Sequence, residues 1–144
     1  MHEATVVDGL IRILIARAAA SEITSIVAVK VVIGRLRGLD LRQIRGCFEI
    51  FSEGTVAEGA ALEIVDIETR ARCRGCGADY VVPRFRFACP SCGGSDADVT
   101  AGRELHVESF EGRQGARAPA RDTVAAGTAA HAAHSASRGA AERR

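Results

Sequence analysis

The stretch Cys73-Arg74-Gly75-Cys76, matched in form by Cys89-Pro90-Ser91-Cys92, decides how the second half of this chain folds. A C-x2-C step lets one turn present two thiolates to a single ion, and two such steps can close a tetrahedral shell of four sulfurs. Four thiolates in that geometry select zinc, or less often an iron–sulfur centre. Neighbouring glycines, among them Gly77 and Gly93, allow the tight turns that direct backbone amides at sulfur. The sequence therefore predicts a zinc site held by Cys73, Cys76, Cys89 and Cys92.

Two other uses of these cysteines remain open, namely a pair of disulfides or two reactive C-x-x-C redox sites. The double C-x2-C spacing favours metal binding over both. The fifth cysteine, Cys47, has no partner in this pattern and is expected to pack as a small apolar side chain on a helix. Cysteines that serve as metal ligands, together with one free thiol, are typical of the reducing cytoplasm, which is where we expect the protein to be.

Charge is distributed unevenly along the 144 residues. Residues 1–112 carry 13 basic and 16 acidic side chains, a net charge of −3, whereas residues 113–144 carry 6 and 2, a net charge of +4. The larger part of the chain thus lacks the strong positive field that nucleic-acid binding usually needs. No apolar run approaches the roughly 20 residues of a membrane span, and the first residues have no features of a secretory signal.

Hydrophobic periodicity predicts two helices and three strands outside the cysteine region. A helix is expected over residues 5–20, with Val6, Leu10, Ile13 and Leu14 on one face, and a strand over residues 24–34. After a loop at residues 35–38, Asp40 is expected to cap a helix that runs to about Ser52. The inward face of this second helix should consist of Ile44, Cys47, Phe48 and Phe51.

Two further strands are expected over residues 61–69 and 104–110. The first alternates apolar and acidic residues, with a slip in phase at Val65. The second should place Leu105, Val107 and Ser109 on one face and His106, Glu108 and Phe110 on the other. Between them, residues 80–87 suggest a β-hairpin with Pro83 at its turn.

These elements predict an α+β fold with an inserted zinc-ribbon-like domain. The first domain should comprise residues 1–70 plus 102–112 and hold two helices and a three-stranded sheet, while residues 71–101 form the zinc-binding domain. Residues 113–144 contain almost no large apolar side chains, so they cannot offset the entropy of ordering and are expected to be disordered.

The sequence contains none of the common phosphate-binding or hydrolase motifs, so we expect no enzymatic activity. Histidines are few. His106 is expected to be a surface residue of its strand, and His131 and His134 to be solvated residues of the tail.

The N-terminus offers a second metal site. The Met1 amine, the His2 backbone nitrogen and the His2 imidazole can chelate one ion in fused rings, and Glu3 adds its backbone nitrogen or its carboxylate. A nitrogen-rich tetragonal site of this kind suits Ni(II) or Cu(II) rather than structural zinc. On chemistry alone, an incidental histidine remains the commoner explanation.

Several motifs, taken in order, resemble one protein family. These are Met1-His2-Glu3, Ile33-Gly34, Cys47-Phe48-Glu49, the stretch from Gly54 to Ala60, Leu62-Glu63-Ile64, the two C-x2-C pairs, and Gly102-Arg103-Glu104-Leu105. The ordered combination, over about residues 1–112, is similar to the HypA/HybF family of hydrogenase nickel-incorporation proteins.

The resemblance implies a nickel-delivery protein with an α/β nickel domain and a small zinc domain. Met1, His2 and Glu3 correspond to the nickel motif of the family, and Asp40 falls where some members supply a further acidic ligand. The four paired cysteines fall on the zinc ligands. Family members work with a nickel-handling GTPase and deliver nickel to [NiFe]-hydrogenase large subunits, and some also serve urease through its accessory proteins.

This chain departs from the family pattern in two places. Some members carry histidines beside the zinc cysteines that can enter the metal shell as pH changes, whereas here Gly77-Ala78 and Gly93-Gly94 occupy those places. The segment after Gly112 has no counterpart in the family pattern.

The preferred interpretation is thus a cytoplasmic nickel metallochaperone with structural zinc. A zinc-ribbon protein that binds nucleic acid is the alternative, because five arginines of the cysteine region are interleaved with Tyr80, Phe85 and Phe87. These arginines are Arg70, Arg72, Arg74, Arg84 and Arg86. A thiol oxidoreductase is a third and weaker interpretation.

Overall fold

A computed structural model describes residues 2–115 of the chain. Two helices and six strands follow one another in this order: α1 (Glu3–Ala20), β1 (Ser25–Gly34), α2 (Leu41–Ser52), β2 (Ala61–Ile67), β3 (Arg70–Cys73), β4 (Asp79–Val81), β5 (Ala97–Ala101) and β6 (Leu105–Arg113). Short 3-10 turns lie at Arg35–Arg37 and Pro83–Phe85. The α+β class is confirmed.

The first sheet has the order β2-β1-β6 and supports both helices. Strand β2 runs parallel to β1, with α2 in the connection between them, and β6 runs antiparallel to β1. One hydrophobic core lies between this sheet and the helices, where Leu14 of α1, Phe48 of α2, Val31 of β1 and Val107 of β6 are all buried. The predicted group of two helices and three strands is therefore confirmed.

A second sheet, with the order β4-β3-β5, was not foreseen from the sequence. Its own small core consists of Ala71, Cys73, Tyr80, Val82 and Cys89. Two sheets with two separate cores support the division into a domain of residues 1–70 plus 102–112 and a domain of residues 71–101. Those boundaries remain a prediction.

The hairpin expected at residues 80–87 does not form. Strand β4 ends at Val81 and pairs with β3, and the chain then turns through Pro83–Phe85. Proline has no N–H to donate to a returning strand. Arg84 and Phe85 have positive φ values of 47° and 62°, which turn the backbone away from a strand path.

Both helices differ from expectation in which residues they bury. Helix α1 buries Val7, Ile11 and Ala18, but Ile13 is exposed, because apolar residues occur all round this helix and its periodicity does not single out one face. In α2, Cys47 packs against the core as expected, whereas Phe51 is 40 % exposed. Phe51 lies in the last turn of α2, where the described chain covers it only in part.

A β-bulge changes the predicted phase of β6. Lys30 of β1 pairs with Ser109, and the next residue, Val31, pairs with Val107, so Glu108 is the extra residue. Beyond the bulge Phe110 faces the core with Val107, while Ser109 is exposed. The phase slip expected at Val65 in β2 is confirmed.

Strand β6 also extends further than the sequence indicated. Arg113 pairs with Ser25, and its carbonyl oxygen accepts a hydrogen bond from the backbone N–H of Thr24 at 2.9 Å. The boundary predicted for the disordered tail, residue 113, is therefore too early, because Arg113 belongs to β6. From residue 116 onward it lies outside the described residues, as do Met1, His131 and His134.

The connections between the two sheets cross in very close contact. An ideal Cβ on Gly34 would lie 2.0 Å from the carbonyl oxygen of Gly102, and one on Gly102 would lie 2.7 Å from Cα of Thr69. Only glycine fits at either position, and Gly102 also has a φ of 112°. The backbone N–H of Leu36 donates to the Gly102 carbonyl at 2.9 Å, which attaches the turn after β1 to the same crossing.

We expect Gly34→Ala to lower the free energy of unfolding by about 3 kcal/mol, because a methyl group there would force two backbone segments apart. Gly46→Ala is the matched control, since Gly46 lies within α2 with open space around it. Alanine should stabilise that helix by about 0.5–1 kcal/mol. Urea unfolding of both variants measures the difference, and equal midpoints would show that the crossing is not close-packed.

Candidate metal centres

Two nearly identical turns hold the four paired cysteines. In the first, the backbone N–H of Gly77 donates to the Cys73 carbonyl at 2.9 Å, and the Cys73 N–H donates to the Ala78 carbonyl at 2.9 Å. In the second, Gly93 donates to Cys89, and Cys89 to Gly94, both at 2.8 Å. Gly77 and Gly93 have φ values of 76° and 75°, a conformation that glycine adopts without strain. The glycines singled out from the sequence thus form the corners of both turns.

The four sulfurs of these turns converge on one point. All lie within 4.8 Å of one another, and the Cys73–Cys92 and Cys76–Cys89 sulfurs are each 3.6 Å apart. A tetrahedral zinc ion with Zn–S bonds of about 2.3 Å needs sulfurs about 3.8 Å apart. The cluster fits that requirement, and all four thiols are free rather than joined in disulfides. The geometry is that of a structural zinc site with four cysteine ligands.

Backbone amides favour the thiolate form of the first cysteine in each turn. The N–H of Cys76, followed by that of Gly75, lowers the pKa of the Cys73 thiol. The N–H of Cys92, followed by that of Ser91, lowers the pKa of the Cys89 thiol to about 6. Both side chains are buried. These amides supply partial positive charge to two sulfurs that cannot be solvated by water.

The Cys76 thiol behaves in the opposite way. The N–H of Ala78 lowers its pKa, but its thiol neighbours, Cys89 first, together with burial raise it to about 12. Four thiolates so close together repel one another, so ionising all of them requires a bound cation. A divalent ion in the centre supplies that charge.

Charged pairs and a buried tyrosine brace the cluster. Arg72 donates two hydrogen bonds to the Asp79 carboxylate, at 2.9 and 3.0 Å, and Arg74 pairs with Asp98. The Tyr80 hydroxyl donates to the Phe87 carbonyl at 2.5 Å, which ties β4 to the second turn. Burial raises the pKa of Tyr80, and the neighbouring cysteines add to that effect. The hydrogen bond from Tyr80 to Phe87 was not predictable from the sequence.

These contacts disfavour the two alternative functions, nucleic-acid binding and thiol oxidoreduction. Arg72 and Arg74 are neutralised by carboxylates, and Tyr80 is 7 % exposed, so it cannot stack on a base. The closest sulfur contacts join one turn to the other, as in a single metal cluster. Two separate redox sites would instead pair the two cysteines within each turn.

The N-terminal residues lie where the first turns of both helices meet. His2 is exposed and forms the N-cap of α1 in an extended conformation, without a hydrogen bond from its side chain. The Glu3 carboxylate accepts a hydrogen bond from the backbone N–H of Asp40 at 3.0 Å. Glu3 and Asp40 are both candidate nickel ligands from the sequence, but their contact was not predictable from it.

Asp40 is also a helix cap, as predicted. Its Oδ1 atom accepts hydrogen bonds from the backbone N–H groups of Arg42 at 2.9 Å and Gln43 at 3.4 Å. Among residues 2–115, the cysteines are the only group of three or more His, Cys, Asp and Glu side chains whose ligand atoms converge. The His2, Glu3 and Asp40 side chains therefore form no closed ligand set of their own.

Comparison with known proteins agrees with this arrangement. The family model for hydrogenase/urease nickel-incorporation metallochaperones, HypA, matches residues 1–112. The chain belongs to the HypA family. The hydrogenase maturation factor HypA of Azotobacter vinelandii is 40 % identical over 111 residues, which cover 77 % of this chain and 98 % of that protein. HypA of Dehalococcoides mccartyi strain CBDB1 is 35 % identical over 111 residues, covering 77 % and 93 %.

A solved HypA structure has the same fold. The solution structure of the Ni metallochaperone HypA from Helicobacter pylori is 29 % identical and covers 78 % of this chain and 97 % of that one, with a TM-score of 0.57. Both HypA relatives are hydrogenase maturation factors by name. Neither of the helices described here combines the length and apolar character needed to cross a bilayer.

If the four cysteines hold one zinc ion, Cys92→Ala should lose it and unfold the second sheet, because five buried residues form too small a core without the metal. Cys47→Ala is the matched control and should keep one zinc per chain, with a loss of about 1 kcal/mol or less. Metal analysis and amide hydrogen exchange measure both effects. Full zinc content in the Cys92 variant would exclude that residue as a ligand.

Proposed function

We propose that this HypA family member carries Ni(II) at its N-terminus for the maturation of [NiFe]-hydrogenase, and that Cys73, Cys76, Cys89 and Cys92 hold one structural Zn(II). The proposed nickel ligands are the Met1 amine, the backbone and imidazole nitrogens of His2, and Glu3. Asp40 is a candidate additional ligand. The observation that carries this proposal is the hydrogen bond from Asp40 N–H to the Glu3 carboxylate, beside an exposed His2 at the N-cap.

The position of His2 suits a chelate that uses the backbone. Its φ and ψ of −82° and 125° are extended, and its carbonyl already accepts the first hydrogen bonds of α1, from Thr5 and Val6. No hydrogen bond from the His2 N–H is present among the described residues. That nitrogen can therefore lose its proton to nickel without breaking the helix.

Glu3 is held as a carboxylate. The backbone N–H of Asp40 lowers the pKa of the Glu3 carboxyl, so this group stays ionised at neutral pH. The hydrogen bond also fixes its direction beside the N-cap. For Asp40, the hydrogen bonds seen among residues 2–115 all reach Oδ1, which leaves Oδ2 for a metal ion.

The same location favours release of the metal. The positive ends of the α1 and α2 dipoles meet here, which stabilises the Glu3 and Asp40 carboxylates but opposes a bound cation. The site is exposed and provides few fixed side-chain ligands. A chelate that is weakened in this way suits a protein that delivers its metal rather than keeping it.

The proposed partners are a nickel-handling GTPase and the [NiFe]-hydrogenase large subunit, with urease accessory proteins as further candidates. The family assignment and the maturation role named for the relatives support this. We also propose that the protein is not an enzyme and acts in the cytoplasm. Absence of any complex with the GTPase of the same cell, with and without nickel and nucleotide, would remove the partner from this proposal.

His2→Ala should abolish tight nickel binding while zinc content and melting temperature stay unchanged, because His2 is exposed and its side chain makes no capping hydrogen bond to α1. One glycine added before Met1 should weaken binding in the same way, since it converts the amine donor into an amide. Binding should also weaken as pH falls, because protons compete for the same nitrogens. Calorimetric titration of untagged proteins decides this, and wild-type affinity in the His2 variant would contradict the proposed site.

Two substitutions separate the two roles of Asp40. Asn is as good an N-cap as Asp, so Asp40→Asn should keep the stability of the protein but weaken nickel binding if the carboxylate is a ligand. Asp40→Ala should in addition lose about 1 kcal/mol of stability. An Asn variant with unchanged nickel affinity would leave Asp40 as a cap only.

The tail should not contribute to this site. A chain that ends at Gly115 keeps the Arg113 pairing with β1 and should bind one nickel with unchanged affinity. Loss of a nickel equivalent on this truncation would instead identify His131 and His134 as ligands.

A further inference from the structure

The last turn of α2 carries an apolar surface that the described chain covers only in part. Ile50 and Phe51 are 66 % and 40 % exposed, and Ile50 is the most exposed large apolar side chain among residues 2–115. Another face of the same turn lines a groove of about 420 Å³, together with Glu58, through Phe48, Glu49 and Glu53 among others. We call this the acidic groove. No salt bridge involves any of its three carboxylates within the described residues.

A second groove lies between the end of α1 and the turn that follows α2. It has a volume of about 360 Å³ and is lined mainly by apolar side chains, including Ile15, Ile23 and Val56. Gly54 belongs to this apolar groove, and its neighbour Glu53 belongs to the acidic groove. Consecutive residues of the turn that follows α2 therefore line the two grooves.

The described chain ends at the opening of the apolar groove. An ideal Cβ on Gly115 would lie 2.8 Å from the Thr24 hydroxyl, and Gln114 Nε2 donates to the Ser21 carbonyl at 3.2 Å. Thr24 directly follows Ile23, which lines the apolar groove. The last described residue, Gly115, therefore lies against the sequence neighbour of a residue that lines the apolar groove.

The sequence that follows is complementary to both grooves. Residues 116–144 contain five arginines against Asp122 and Glu142, a net charge of +3. Small apolar residues and Val124 separate the arginines. The 29 residues could extend about 95 Å, far more than the grooves require. The family model ends at residue 112, so this segment is an addition to the family pattern.

We propose that residues 116–144 dock within the same molecule along the apolar and acidic grooves. Arg117 and Arg121 are the first arginines to reach the carboxylates of Glu53 and Glu58. Each exposed ion pair is weak, but attachment to β6 gives the segment an effective concentration in the millimolar range. A basic partner protein gains access to the end of α2 only by displacing this segment.

The test compares backbone amide spectra of the 15N-labelled full chain with those of a zinc-loaded chain ending at Gly115. Differences should be concentrated at residues 23–24 and 50–58. A synthetic peptide of residues 116–144 added to the truncated chain should restore the full-chain positions. Raising the salt concentration to about 0.5 M should weaken binding of the peptide about tenfold or more, because salt screens the attraction between exposed charges.

A pair of double variants separates this site from an effect of net charge. Glu53→Gln with Glu58→Gln should weaken peptide binding about tenfold. The Gly54 N–H donates to the Glu58 carboxylate at 2.9 Å, and the amide oxygen introduced by Glu58→Gln can still accept this hydrogen bond. Glu63→Gln with Glu111→Gln removes the same charge from the sheet and should change affinity less than twofold.

Identical full-chain and truncated spectra over residues 2–115 would overturn the proposal. So would equal effects of the two double variants, or binding that salt does not weaken. If the spectral differences between the full and truncated chains grow with protein concentration, the segment binds the grooves of a second molecule. That result also overturns docking within one molecule. The peptide titration of the unsubstituted truncated chain gives a result even if a variant fails to fold.

Discussion

The contact between the backbones of Gly34 and Gly102 holds the two halves of this molecule together. A single methyl group at Gly34 would come within 2.0 Å of the Gly102 carbonyl oxygen, so the strand that ends there touches the connection that returns from the second sheet. The chain enters that sheet at Arg70 and leaves it at Ala101, so both connections pass this point. Through Leu36, the same crossing supports the turn that brings Asp40 back to Glu3. Both candidate metal centres thus depend on one close approach of backbone.

The two candidate metal centres differ in burial and in how many ligand atoms converge. The cysteine cluster is closed, since four sulfurs converge, amides of the turns stabilise two of them, and Cys73 and Cys89 are buried. Such a site retains its ion and contributes to folding. The N-terminal site is open and exposed, and it lies against two positive helix ends. Burial and local charge therefore support the proposal that the cysteine site keeps its ion and that the N-terminal site exchanges one.

Acidic and basic side chains are concentrated in different parts of this molecule. Within the cysteine region, Arg72 and Arg74 are paired with carboxylates, so little free positive charge remains around those two residues. Unpaired carboxylates instead gather at the end of α2, beside the most exposed apolar side chain of residues 2–115. The excess positive charge of the sequence lies after residue 115. The acidic side chains at the end of α2 and the basic residues after residue 115 thus belong to segments that are far apart in the sequence.

The sequence by itself determined what depends on local chemistry. The spacing of the cysteines, the glycines of their turns, the Asp40 cap and the two helices were all predictable, because each is set by residues close together in the chain. The ordered motifs also indicated the family. Only the tertiary structure decided the second sheet, the burial of Tyr80, the bulge that turns Phe110 inward, the exposure of Ile13 and Phe51, and the contact of Asp40 with Glu3. Those features arise where distant segments meet, and periodicity along one segment does not specify which neighbour will cover it.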